Sequence, residues 1–183
     1  MITSTRLNLT KILESIPLPI FLIYSATIDK SLSQNWLGPY LASSIAALLA
    51  TAILISKKIQ LNRLFIGINL YLLSGSIGLL ANLVWLNQLY GHLEAAGMLA
   101  WVIFVGLSSI GISPSGFIGV YSKDRKKIVI SSLYLLLATL TALLVSLHFQ
   151  GHWLYSNALP FVSLFAMHSM LKLKFFTEEL KNA

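Results

Sequence analysis

The sequence predicts an all-α fold: a polytopic transmembrane helix bundle of six spans, with N- and C-termini cytoplasmic. Three observations lead there. Of the 183 residues, 10% are charged and 56% hydrophobic, whereas a water-soluble domain carries roughly 25% charged residues. Apolar runs recur at a length that, at about 1.5 Å per helical residue, crosses a hydrocarbon core of about 30 Å. Lysine and arginine fall in alternate connections between those runs, twelve on one side and one on the other.

The elements follow in order. Residues 1–15 place Leu7, Leu9, Ile12 and Leu13 among Arg6, Lys11 and Glu14, the pattern of a short interfacial helix. The first span covers 12–28. Pro17 and Pro19 lie near its start, where the first turn has unpaired N–H groups in any case. Asp29-Lys30 follows this run in place of a small-residue cleavage pattern, so no signal peptide is expected. The second span is 36–56, the third 64–86, the fourth 95–120, the fifth 128–149 and the sixth 153–171. Together they make a single integral membrane domain, residues 1–183.

Orientation comes from charge. Arg6 and Lys11 precede the first span, Lys57, Lys58 and Arg63 follow the second, and Lys123, Arg125, Lys126 and Lys127 follow the fourth. Lys172, Lys174 and Lys181 follow the sixth, while Lys30 stands alone on the opposite side. By the positive-inside rule the richer side is cytoplasmic. Trp36, Trp85, Trp101 and Trp153 fall near the outer ends of their spans, where indole rings favour the headgroup layer. A net charge of +7 distributed in this way speaks for orientation and anionic-lipid contact, not for nucleic acid. In size and span spacing the chain resembles small bacterial inner-membrane proteins such as the septation protein A family. No motif stands in register, so no residue role is carried over. The expected location is integral to a bacterial inner membrane.

The chemistry is bounded mostly by what is missing. The chain has no cysteine, which excludes disulfides, thiolate metal sites and a cysteine nucleophile. None of the six acidic residues falls mid-span, so a carboxylate proton relay is not expected. No metalloprotease, serine-hydrolase or phosphate-loop motif occurs. The expectation is a non-enzyme without a cofactor, with a membrane-embedded oxidoreductase using outer histidines far behind.

Three groups of residues invite a functional reading. In the third span Gly67, Tyr71, Ser74, Gly75, Gly78 and Asn82 recur at steps of three and four. In the second, Ala42, Ala46 and Ala50 run beside Ser43, Ala47 and Thr51. Small faces of this kind let helices approach closely. The sharper reading has Asn69, Ser74 and Asn82 lining a substrate path, since an intramembrane amide does not favour lipid.

The same path would take in Ser109, Ser113, Pro114 and Ser115. Pro114 removes a helix hydrogen bond and crowds the Ile110 carbonyl, and broken helices are where transporters place binding sites. Against this, residues 95–112 alone make about 27 Å of helix, so 113–116 also reads as an inner-end turn with Phe117-Ile118 dipping back into the interface.

His92, Glu94, His148 and His152 all lie at the outer surface. If the fifth helix continues, His148 and His152 share a face at a spacing suited to a metal or a proton sensor. The plainer reading makes them interfacial caps, with Gly151 breaking the helix between the last two. His168, one turn before Lys172, reads as a snorkelling interfacial residue.

The first expectation for function is an accessory or assembly subunit acting through helix packing. Its partners would be the lipid bilayer and other membrane helices, as a homo-oligomer or with a partner protein. The alternative is a small solute permease, with the third and fourth helices lining the path.

Overall fold

The computed structural model describes residues 12–29, 33–122 and 124–181. Among them every regular element is helical. The chain divides into two compact units, Met1–His92 and Leu93–Ala183, a division that nothing in the composition signals.

The first unit starts with α1, Pro17–Thr27, which continues a turn from Ile12 and has proline in its opening positions. A 3-10 turn, Ser33–Trp36, leads into α2, Leu37–Ser56. Then come α3, Arg63–Leu80, and the short α4, Val84–Leu93. Helix α2 packs against both α1 and α3. Its buried face is Tyr40, Ser43, Ser44, Ala47, Ala50 and Leu54. This meets Leu64, Gly67, Ile68, Tyr71, Leu72, Gly75 and Ser76 of α3, with Ser44 Oγ 2.8 Å from Ser76 Oγ. Serines and small residues on both faces permit close approach where lipid offers no hydrophobic drive.

Both α2 and α3 end in the same way. Lys58 N–H donates to Ile55 O at 2.9 Å and Ile59 N–H to Leu54 O at 3.0 Å. After α3, Asn82 N–H donates to Leu79 O at 3.2 Å and Leu83 N–H to Gly78 O at 2.8 Å. These are Schellman caps with a left-handed residue just past the helix. That residue is Lys58 (φ 55°) in one case and Asn82 (φ 51°) in the other. The third helix therefore stops at Leu80, short of the expected residue 86. Asn82 belongs to its cap and not to its polar stripe.

The second unit contains α5, Ala95–Ile112, α6, Arg125–His148, a π turn, Leu154–Ala158, and α7, Leu159–Lys181. Helix α6 packs against both α5 and α7. Along α6 the buried residues are Ile128, Ser132, Leu135, Thr139, Ala142 and Ser146. They follow alternating steps of four and three, the spacing of a knobs-into-holes seam, and alternate apolar with hydroxyl. Facing elements satisfy those hydroxyls or the helix does so itself: Ser146 Oγ donates to Ser156 O at 2.7 Å, and Thr139 Oγ1 to Leu135 O at 2.8 Å. On α7 the matching seam is Phe161, Leu164, His168 and Phe175, all buried, with Leu171 partly so.

Four helices, α2, α3, α5 and α6, with 20, 18, 18 and 24 residues, are long and apolar enough to cross a membrane. They overlap the expected second to fifth spans, but α3 ends at Leu80 and α5 at Ile112, short of the expected 86 and 120. The shorter apolar helix Ile12–Thr27 occupies the expected first span, and the π turn with the first half of α7 the sixth. Large aliphatic side chains stand exposed along them, including Ile45, Leu48, Leu49, Ile53, Leu137 and Leu144. Continuous apolar surface of this extent is foreign to a water-soluble monomer and suits a membrane-embedded protein.

Candidate functional site

The residues singled out by sequence fall into separate places. Asn69, Ser74 and Asn82 belong to the first unit. Ser109, Ser113, Pro114 and Ser115 belong to the second.

In the first unit, five residues of α3 separate two quite different environments, at Asn69 and at Ser74. Ser74 Oγ lies 2.6 Å from the Tyr90 hydroxyl and also donates to Tyr71 O at 2.9 Å. Tyr40 donates its hydroxyl to that of Tyr71 at 2.6 Å. The rings of Tyr71 and Tyr90 stack 4.7 Å apart, and Phe21 sits 4.9 Å from Tyr40. Gly75 is what admits the Tyr40 ring, because a Cβ there would occupy the same space. Ser74 thus belongs to a closed aromatic cluster.

Asn69 is different. It lines a cleft of about 180 Å³ between α2 and α3, walled by Ala47, Leu48, Leu54, Phe65, Leu70 and Leu73. Thr51 contributes a hydroxyl, and Glu14 and Asn62 close one end. Asn62 builds that end twice over. Its Oδ1 accepts the Leu64 N–H at 3.1 Å as the cap of α3, and its own N–H donates to Glu14 Oε1 at 3.0 Å. Asn69 Oδ1 is buried and has no hydrogen-bond partner; Ser43 Oγ is the other such side-chain atom among the described residues. An unmet buried amide costs about 1–3 kcal/mol, and hydrocarbon offers it no replacement.

In the second unit, α5 ends at Ile112, and residues 113–120 form a compact turn in place of a continued helix. Of the two sequence readings of this stretch, the turn is the one found, but Phe117 and Ile118 are fully buried in the protein and do not dip into the interface. Pro114 has no N–H, so the Ile110 carbonyl loses its helical partner. Arg125 replaces it: Nη2 donates to Ile110 O at 2.9 Å, while Nη1 donates to Ser113 O at 2.6 Å and Pro114 O at 2.8 Å. Gly116 (φ 58°) and Gly119 (φ 71°) take the left-handed positions that side chains disfavour.

The turn then folds inward, with Ser115, Phe117 and Ile118 fully buried. Ser132 Oγ accepts both the Phe117 N–H at 3.0 Å and the Ile118 N–H at 3.3 Å. The Ile118 carbonyl accepts from His168 Nε2 at 3.2 Å, which fixes the proton on that nitrogen. Ser113 Oγ and Ser115 Oγ lie 3.0 Å apart, and Ser109 is buried within α5. His168 is thus an interior residue and not a snorkelling one, because the turn brings a bare carbonyl to it.

The residues offered as metal ligands lie in separate elements of the two units. Helix α6 ends at His148, and Gly151 (φ 84°) turns the chain before His152, so the two do not share a continuing helical face. His148 stacks edge-on against Phe149 at 4.8 Å. His92 closes α4, while Glu94 (φ 48°) precedes α5. Among the described residues no group of three histidine, cysteine or acidic side chains is placed to hold a metal.

Sequence reasoning missed Arg125, Ser132 and the Asn69 cleft. Only Ser132 left a trace, the four-three spacing of the α6 seam, which the apolar residues around it mask. No protein-family model, curated protein or solved structure matches the chain.

Proposed function

We propose that the protein is a non-enzymatic accessory or assembly subunit that works by presenting helices to other membrane helices. In this reading it has six spans, both termini are cytoplasmic, and the membrane is a bacterial inner one. One observation carries it. Opposite its buried seam, α6 bears a second seam of Ile130, Leu133, Leu137, Leu140, Leu144 and Leu147, every one exposed. These residues also step by three and four, through three heptads. The row suits lipid contact as well, but its heptad spacing is also the one that interdigitates with a second helix, held there by side-chain packing because lipid supplies no hydrophobic drive. The reading gains from the fate of the serines offered as a transport path: Ser74, Ser113 and Ser115 are engaged within the fold.

Site-directed cross-linking in native membranes tests it, made clean by the absence of cysteine. Single cysteines at Leu137 and Leu144 should join to a second copy or to one defined membrane protein. A cysteine at Ala138, well away from the seam, should not. Equal cross-linking at all three positions, or none at any, would overturn the proposal. So would solute flux in proteoliposomes of the purified chain.

A further inference from the structure

Beside the outer seam of α6 runs a second row. Lys127, Tyr134, Thr141 and His148 stand seven residues apart, and all are exposed. On the other flank of the seam the matching positions are Val129, Leu136 and Leu143, all aliphatic. Between Ile128 and Leu147, Tyr134 and Thr141 are the only polar side chains among the exposed residues of α6. Given the packing role proposed above, on which this step rests, we infer that the partner of the seam is a helix of a different protein. That helix sets a hydrogen-bond acceptor against the Tyr134 hydroxyl and a carboxylate near Lys126.

Depth is the first reason. Tyr134 lies six residues past Ile128, where the apolar run begins, and so about 9 Å into the hydrocarbon. Even leaning toward the start of the helix, its side chain does not return the hydroxyl to the headgroups. Thr141 meets its own need, donating to Leu137 O at 3.0 Å. The Tyr134 hydroxyl has no hydrogen bond among the described residues, and hydrocarbon offers none. Acyl chains would cover the aliphatic seam and leave this donor unmet.

Register is the second. Copies of one chain insert with one orientation, so two α6 helices would pair in parallel. In a parallel pair the flank of one helix meets the opposite flank of the other. Tyr134 would face Val129, and Thr141 would face Leu136, neither with an acceptor to offer. A second copy thus leaves the hydroxyl as lipid leaves it. Charge is the third. Lys126 stands seven residues before Leu133 and is exposed, so it continues the seam past the apolar run. Two copies would set Lys126 against Lys126, whereas an acidic helix end complements it, and such pairings decide which partner is accepted.

The test uses the full-length protein in native membranes, with a benzophenone amino acid in place of Leu137. Its photo-adduct should join the chain to a single segment of one other protein. Fusion with phosphatidylcholine vesicles dilutes the pair before illumination. In Tyr134→Phe, half the adduct should be lost at about one fifth the dilution the unaltered chain needs, the factor one net hydrogen bond supplies. In Lys126→Gln it should be lost at about half that dilution, whereas a pair of copies would hold together better for the change. An adduct with a second copy would overturn the inference and leave the packing role standing. So would equal dilution curves for the unaltered chain and Tyr134→Phe, or a Lys126→Gln adduct that survives further dilution. An adduct with phospholipid or the chain's own helices alone, or no adduct, would overturn both.

Discussion

Arg125 Nη2 lies 2.9 Å from the Ile110 carbonyl oxygen, the acceptor that Pro114 cannot serve. A defect in one helix is thus repaired from the first residue of the next. Arg125→Lys keeps the charge but replaces a fork that grips three carbonyls with a single flexible ammonium. Because these contacts are exposed, the loss should be modest, about 1 kcal/mol for lysine and about 1–2 kcal/mol for alanine. Unfolding in mixed micelles, with orientation monitored separately, checks this. Full stability in Arg125→Ala would mean the carbonyls are met by water.

Ser132 gives a sharper case, since the two N–H groups it serves are buried. Ser132→Ala should cost about 2–3 kcal/mol. It should also speed hydrogen exchange at the Phe117 and Ile118 amides while leaving the middle of α5 protected. Uniformly faster exchange would point instead to global loosening.

Two glycines make a matched pair. A Cβ on Gly116 would sit 2.5 Å from Ser132 Oγ and 2.7 Å from Ile128 Cγ2, at a φ of 58°. Gly111 has open space within 4 Å and lies inside α5. Gly116→Ala should therefore destabilise by about 2 kcal/mol or more. Gly111→Ala should stabilise by about 0.5–1 kcal/mol. Thermal unfolding of the two variants in one detergent compares them directly, and equal shifts would contradict the geometry.

At the two Schellman caps the expectation runs the other way. Lys58 and Asn82 hold left-handed backbone without being glycine. Replacing either by glycine should stabilise, by about 1 kcal/mol for Lys58 and less for Asn82, because asparagine tolerates that conformation. A loss of stability in both would show that the side chains matter more than the backbone.

Pro114 shows what could and could not be read from the chain. That it frees the Ile110 carbonyl follows from covalent structure alone. That Arg125 takes that carbonyl does not, because the residue also belongs to a basic cluster whose orienting role explains it fully. The end of α3 was hidden for another reason. Apolar residues continue through Leu83, Val84 and Leu86, so hydropathy runs on while the backbone turns at Asn82. Helix α6 is apolar on almost every side, which buried the four-three rhythm of Ser132, Thr139 and Ser146 in a uniform signal. Asn69 was legible as an amide in a span, but the cleft depends on how Phe65 and Leu73 pack against α2, and no local pattern encodes that.

The 50-residue gap between Ile118 and His168 is also an interval of time. At roughly 5–20 residues per second, a ribosome needs about 3–10 s to pass from one to the other. Throughout that interval the Ile118 carbonyl has to wait, whereas Arg125 and Ser132 are made within 14 residues of it. The turn after α5 is therefore set early on one side and sealed late on the other. Translation stopped between Ser132 and His168 would leave a nascent chain with an unsealed turn, a distinct state for membrane quality control to recognise.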